Sequence, residues 1–262
     1  MPEPTAHRDA HQDARPAAHQ DAPAAAHARP AADAPPGAHD STADPDHAPP
    51  GAHDSTADRA YWNTRHRDHD TLASGGHIGL DRPGNEIFYA LRLGALLPLI
   101  GDLADPAAPL FVLDAGCGKG HFARALARCG HRVDAFDTSA QAIALARAEG
   151  GGPRYSVAAL DEWRAPWLYD AVLSVDVLFH VLDDAEWAAA LRNLASLVRI
   201  TGRLIVTDEN LTARRPRGTY IVHRPAADYT AVLAPLGLRH TGFTPYGFRE
   251  NEVGFHVFTR TR

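Results

Sequence analysis

The sequence predicts an α/β protein: seven short strands in a mostly parallel sheet, helices on both faces, an antiparallel last strand and an N-terminal helical cap. Three observations predict it. From Leu110 onward, apolar strand-like runs alternate with helical stretches, the pattern of a parallel sheet. A glycine-rich turn joins the first strand of that alternation to its first helix. The last two apolar runs have no helix between them, so they pair as an antiparallel hairpin.

The alternation occupies only part of the 262 residues. Residues 1–58 contain no Leu, Ile, Val, Phe, Tyr or Trp. Such a stretch cannot bury enough apolar surface to offset its ordering entropy, so a disordered low-complexity tail is expected there. An 11-residue unit, Ala34 to Asp44, recurs identically as Ala48 to Asp58. It has no apolar face to stack, which excludes a solenoid repeat. Seven of the 16 histidines lie in this tail at loose spacing, a bias of composition rather than a metal site.

The tail holds 10 acidic residues against 3 arginines, a balance of −7; the remainder holds 22 acidic and 23 basic residues, a balance of +1. Without a basic surplus the folded part has no electrostatic grip on nucleic acid, and none is expected as a partner. The two cysteines, Cys117 and Cys129, suggest no disulfide framework. No run approaches the ~18 apolar residues of a membrane span, and the N-terminus lacks a secretory apolar region. A cytoplasmic protein that does not engage membranes is therefore expected; oligomeric state is not legible.

The elements follow in order. Residues 59–109 form an N-terminal cap segment, with order beginning near Tyr61 and Trp62. Ile87, Phe88, Leu91, Leu93, Leu96 and Leu97 carry helical spacing, and Asp102 to Pro109 reads as a turn. The core covers 110–262. Strands are expected at 110–113, 132–136, 155–157, 169–175, 203–207, 239–244 and 253–259. Helices are expected at 121–129, 140–148, 185–198 and 226–234. Ser139 is the expected N-cap of the second of these core helices.

The chemistry concentrates after the first strand, in Leu113-Asp114-Ala115-Gly116-Cys117-Gly118-Lys119-Gly120. Glycines there let the backbone approach a ligand and leave helix N-terminal amides free to bind it. Asp137 ends the second strand 19 residues after Gly118, where an acidic side chain can take the hydroxyls of a ribose. An adenosine-containing cofactor follows. A nicotinamide fingerprint fails, because the third glycine falls one place early, at Gly120, and His121 follows. A phosphate-cradling G-K-[ST] loop fails too, because Gly120 follows Lys119.

The sequence resembles class I S-adenosylmethionine-dependent methyltransferases. The resemblance rests on five motifs in order: the Asp114 to Gly120 loop, Asp-Thr-Ser at Asp137 to Ser139, Tyr-Asp-Ala-Val-Leu-Ser at Tyr169 to Ser174, Val-Leu-Phe-His-Val at Val177 to Val181, and Thr-Gly-Arg-Leu-Ile-Val at Thr201 to Val206. It covers Leu110 to about Asp208 and implies a Rossmann-like seven-stranded fold with S-adenosyl-L-methionine as cofactor. It also implies roles. Gly116 and Gly118 would line the methionine and ribose portions, and Asp114 would hold the amino group. Asp137 would bind the ribose hydroxyls, with Thr138 against the adenine. The family often has an Asp where this chain has Ala159, so Leu160 through its amide, or Asp161, would substitute. The carbonyl near Ser174 or Val175 would meet the methionine amino group, and Trp62 would close over the cofactor.

His180 follows the fourth strand at its ligand-facing end and is the candidate base, because a near-neutral imidazole suits proton abstraction. His223 and Arg224, after the fifth strand, are candidates for substrate contact. Asp176, Asp208 and Asn210 end strands four and five without clear metal-ligand spacing, so no metal is assigned. Asp176-Val-Leu-Phe179 replaces the Pro-Pro-aromatic signature of adenine amino-methyltransferases. The expected function is methyl transfer to a small metabolite, a secondary metabolite or sugar, at an oxygen first and a nitrogen or carbon second. The same fold and cofactor would also serve a non-methylating reaction such as cyclisation, or a non-enzymatic ligand-binding protein.

Overall fold

A computed structural model of the chain describes residues 55–69, 72–77, 79–101, 108–249 and 251–262, with side chains from residue 60 onward. Two helices come first, α1 (Ser55–Asp68) and α2 (Arg82–Ile100). The core then runs β1 (Phe111–Ala115), α3 (His121–Arg128), β2 (Arg132–Asp137), α4 (Ala140–Glu149), β3 (Arg154–Val157), β4 (Tyr169–Ser174), α5 (Asp184–Ser196) and β5 (Val198–Glu209). The two-stranded hairpin β6 (Arg215–Arg217) and β7 (Ile221–His223) follows, then α6 (Ala226–Leu233), β8 (Leu238–Pro245) and β9 (Val253–Arg260).

Seven strands form one sheet in the order β3-β2-β1-β4-β5-β9-β8. The pairs from β3 to β5 are parallel, and β9 runs antiparallel to both β5 and β8. This is the Rossmann-like arrangement with its antiparallel last strand. Central strands read as near-continuous apolar runs because both faces are covered. In β1, Val112 packs on one side with Phe122, Leu126 and Ile143, while Leu113 packs on the other with Trp187, Leu191 and Tyr229. So α2, α3 and α4 cover one face, and α5 and α6 the other. The chain order reverses between β1 and β4, the topological switch point where ligands bind such sheets.

Local chemistry sets the helix starts. The Asp81 side chain accepts from the Gly84 amide and Pro83 occupies the first turn of α2. Ser139 Oγ accepts from the Ala142 amide as the N-cap of α4. Asp183 caps α5 through the Ala185 and Glu186 amides.

Some boundaries differ from the sequence reading. Helix α1 begins at Ser55, inside the stretch read as tail, and residues 1–54 lie outside the described residues, with most of the turn expected at Asp102 to Pro109. The helix expected to 198 stops at Ser196, because Val198 already pairs with Tyr169. Strand five is correspondingly longer than expected. The loop expected after it contains the β6–β7 hairpin, whose apolar content is too short to carry a periodic signal.

Candidate active site

Every turn that leaves a C-terminal strand end between β2 and β4 opens onto one cavity of about 430 Å³. That volume suits a small-molecule ligand. The glycine loop forms its floor. Gly116 has φ +80, and a Cβ there would stand 2.4 Å from Val177 Cγ2, so only glycine lets the loop pass the turn after β4. The Gly116 and Cys117 amides both donate to Phe136 O at 2.8 and 3.0 Å, which ties the loop to β2.

Asp137 completes that tie. One carboxylate oxygen accepts from the Gly118 amide and the other from the Ser139 amide, each at 2.8 Å. Burial raises its pKa against those two amides. Each oxygen keeps a further lone pair, so the carboxylate can still accept from a diol. Asp114, at the end of β1, is different. It is 1% exposed, and its Oδ2 has no hydrogen-bond partner. Burial pushes its carboxyl up to about 7, against the Ala123 amide that donates to it, and neighbouring Asp137 adds to the rise. A buried carboxylate with an empty oxygen at a cavity wall fits a cationic amino group.

Thr138, Leu160 and Val175 line the same cavity, as do Ala159 and Asp161 in the loop after β3. Trp62 reaches it from α1, which docks on the start of α4: Ser139 Oγ donates to Asn63 Oδ1 at 2.7 Å, and the Gln141 amide donates there too. All eight residues read as cofactor contacts thus line one space. Together they present a diol acceptor, an amino-group acceptor and apolar walls, a set that S-adenosylmethionine would fill.

His180 also lines the cavity, on a short 3₁₀ turn after β4. Its ring stands edge-on to Trp62 at 5.1 Å between centroids, and Nδ1 lies 3.2 Å from Tyr220 O. The carbonyl can only accept, so Nδ1 carries the proton and Nε2 the lone pair. The near-neutral imidazole expected from the sequence is not found. Burial lowers the pKa to about 3, against the Tyr220 carbonyl, with Arg65 and His223 adding to the fall.

The expected substrate contacts His223 and Arg224 do not line this cavity. His223 Nδ1 lies 2.7 Å from Asp208 Oδ1 and its Nε2 3.5 Å from Glu209 Oε1. Arg224 is fully buried, donating to Leu182 O and to Asp184. His223 ends the short strand β7, paired with Arg215, and Arg224 follows it. Asp208 also accepts from the Tyr229 hydroxyl and the Arg224 amide. Asp176 pairs with Arg92 and accepts from the Tyr246 hydroxyl. No group of three or more His, Cys, Asp or Glu arranged to hold a metal occurs among the described residues, and no helix among them is long and apolar enough to cross a membrane.

Arg65 lines the cavity from α1 in the same Tyr-Trp-x-x-Arg segment as Trp62, and the residue missed in the sequence is Arg92, which lines it from α2. Arg92 sits among the apolar residues of α2, and its spacing with Phe88 and Leu96, four residues each way, was its only inward signal.

Residues 112–202 match the family model of a methyltransferase domain. The ubiquinone biosynthesis O-methyltransferase of Xylella fastidiosa (strain 9a5c) is 34% identical over 154 residues, 55% of this chain and 60% of that protein. The protein of the same name from Methylocella silvestris is 36% identical over 139 residues, 50% of this chain and 51% of that protein. The chain thus spans between half and three fifths of the length of these relatives. Among solved structures, magnesium protoporphyrin IX methyltransferase from Synechocystis PCC 6803 with bound S-adenosylmethionine aligns with TM-score 0.60 at 23% identity, over 80% of this chain and 99% of that one. The Burkholderia thailandensis 1,6-didemethyltoxoflavin-N1-methyltransferase, with S-adenosylhomocysteine bound, aligns with TM-score 0.55 at 18% identity, over 82% and 94%. At those identities the alignments show the fold alone, and within that fold residues 112–202 of this chain carry the match to a methyltransferase domain.

Proposed function

We propose that this protein transfers a methyl group to an oxygen of a small-molecule acceptor. The observation that carries the cofactor half is the empty Oδ2 of Asp114, buried at the cavity wall beside the glycine loop. The O-methyltransferase relatives support oxygen as the acceptor atom. S-Adenosylmethionine supplies an already activated methyl group, so the protein has to align it and handle one proton.

This chain's residues divide that work. Asp114 holds the amino group and Asp137 the ribose diol. Leu160 and Asp161, in the loop after β3, and Thr138, directly after β2, border the base. Trp62 and α1 keep water from the cavity. His180 accepts the hydrogen bond of the acceptor hydroxyl at Nε2, because Nδ1–H is committed to Tyr220 O. A neutral imidazole with a pKa of about 3 is a weak base for a resting hydroxyl. As the carbon–oxygen bond forms, that oxygen becomes oxonium-like and its proton far more acidic. The proton then passes to Nε2, leaving an imidazolium that releases it to solvent. A histidine held neutral is therefore always in the accepting form.

The test is a screen of small hydroxylated aromatics and sugars with S-adenosylmethionine, read by mass. A donor-dependent gain of one methyl, with S-adenosylhomocysteine formed in equal amount, is expected. Donor consumption with a product lacking that gain would assign a different reaction. Binding without turnover over the whole panel would assign a ligand-binding role.

A further inference from the structure

Arg92 leaves one whole edge of its guanidinium without a well-formed protein hydrogen bond at the cavity wall. Helix α2 carries it inward, fully buried, between the rings of Phe88 and Tyr89, each 4.1 Å from the guanidinium carbon. Nη1 pairs with Asp176. Nε and Nη2 are buried and make no hydrogen bond of good geometry, although the Tyr89 hydroxyl lies near enough to act on the guanidinium. These two atoms are the parallel donors of a single edge, the fork that matches both oxygens of a carboxylate. Arg217 Nε and Arg224 Nη1 are also buried and unmet, but they belong to residues that do not line the cavity, whereas Arg92 lines it and has two on one edge.

Asp176 cannot swing over to fill that edge. Its Oδ2 faces Nη1, its Oδ1 accepts from the Tyr246 hydroxyl at 2.5 Å, and its amide donates to Thr207 Oγ1 at 2.6 Å. Its backbone has φ +56, a left-handed conformation that persists in a non-glycine residue only where the surroundings impose it. The pair is thus held at the end of β4, and the free edge of Arg92 with it.

Basic and acidic residues both line the cavity, Asp161, Glu162, Asp183 and Glu186 among the acidic ones. Arg65 lines the same cavity, and its charge acts on the Tyr89 hydroxyl together with that of Arg92. Lys119 lines it too. Burial, then Lys119 and Arg65, lower His66 to about 3, and burial with Arg92 lowers His121 to about 4. Both histidines are neutral there. Asp176 is the acidic side chain set against Arg92, and Asp114 and Asp137 stand at the glycine loop.

We propose that this end of the cavity takes an acceptor carrying a carboxylate, seated on the Nε–Nη2 edge of Arg92. The inference rests on the methyltransferase reading above and narrows its acceptor to small organic acids. Arg92 is then a specificity-determining residue, and the aromatic rings on either side of it favour an acid with a flat body.

The test uses the full chain loaded with S-adenosylhomocysteine, and benzoate and benzamide as probes of equal shape, titrated by calorimetry. Benzoate is expected to bind at least about tenfold more tightly than benzamide, the preference of one charge-assisted pair. Arg92→Gln removes the edge. Arg92→Lys keeps a charge for Asp176 without the fork, so it guards against a loss of folding in the first variant. Both variants are expected to lose the preference while retaining S-adenosylhomocysteine binding. Equal binding of the two probes, binding of neither, or a preference that survives in both variants overturns the proposal. Failure to bind S-adenosylhomocysteine at all overturns the methyltransferase reading instead, and is seen in the first titration.

Discussion

Two acidic clusters sit at strand ends of the same sheet, and their hydrogen bonding separates them. At β1 and β2, Asp114 and Asp137 face the cavity, and Asp114 keeps an oxygen with no partner. At the end of β5, Asp208 accepts from His223, Tyr229 and the amides of Glu209 and Arg224. Glu209 beside it is 2% exposed and pairs with Arg215 and Arg217. Residue type and position on the strand are alike in the two clusters. Saturation marks the β5 cluster as scaffold, and the open valence marks the β1 cluster as a place for a ligand.

Stability should split the clusters most widely. Asp208→Ala leaves the Tyr229 hydroxyl, the Arg224 amide and His223 buried without their acceptor. Removing one partner of such a network costs about 3–5 kcal/mol, read as a lower denaturant midpoint. Asp114→Asn should do the opposite at pH 8. Its carboxyl is raised above the unfolded value near 3.8, to about 7, so folding binds a proton and stability falls as pH rises between those values. The asparagine removes that fall, and a higher melting temperature at pH 8 is expected. A stable Asp208→Ala would break the comparison.

Cofactor affinity comes next. Asp137→Ala should weaken S-adenosylhomocysteine binding by about 100-fold or more, since charge-assisted hydrogen bonds contribute ~1.5–3 kcal/mol each. Glu209→Gln, in the saturated cluster, should leave that affinity within about threefold. Calorimetry separates the two, and an unchanged affinity in the Asp137 variant would move the ribose elsewhere.

Turnover should respond to His180→Asn by a fall of about 10²-fold, the lower end for a positioned base, with donor affinity unchanged. The wild-type rate at saturating donor should show no limb near the ordinary histidine pKa, because burial holds His180 neutral down to about 3. A limb near 6.5 that vanishes in the variant would mean the bound state restores an ordinary imidazole.

The smallest effect is on donor binding with pH. A cationic amino group needs the ionised Asp114, so binding expels its proton below about pH 7. Affinity should drop about tenfold from pH 8 to pH 6. In the Asp114→Asn variant it should be weaker and flat over that range.

Much of this was legible in the linear order of residues, for a physical reason. The Asp114 to Gly120 loop, Asp137 and Ser139 act through their own backbone neighbours: a turn, a helix start, a strand end. Apolar runs such as Phe111 to Leu113 name their strands because both faces of the sheet are covered. The surroundings of His223 and Arg224 were not legible, because sequence places them after a strand but cannot say which way the chain then turns. The short β6–β7 hairpin carries no periodicity, and its turn decides that they meet Asp208 and Asp184.

The sequence by itself determined the alternating α/β order, the glycine loop at the first crossover and the acidic residues that end β1 and β2, since these depend on local backbone geometry and on which residues avoid water. Only the tertiary structure decided how polar groups pair across distance. Arg92 meets Asp176 from 84 positions away, and Asn63 takes up the Ser139 hydroxyl from 76. Such pairings cost loop entropy and desolvation that no local pattern records. Whether a buried carboxylate or guanidinium ends with every valence filled, as Asp208 does, or with one left open, as Asp114 and Arg92 do, is settled only when the helices close on the sheet.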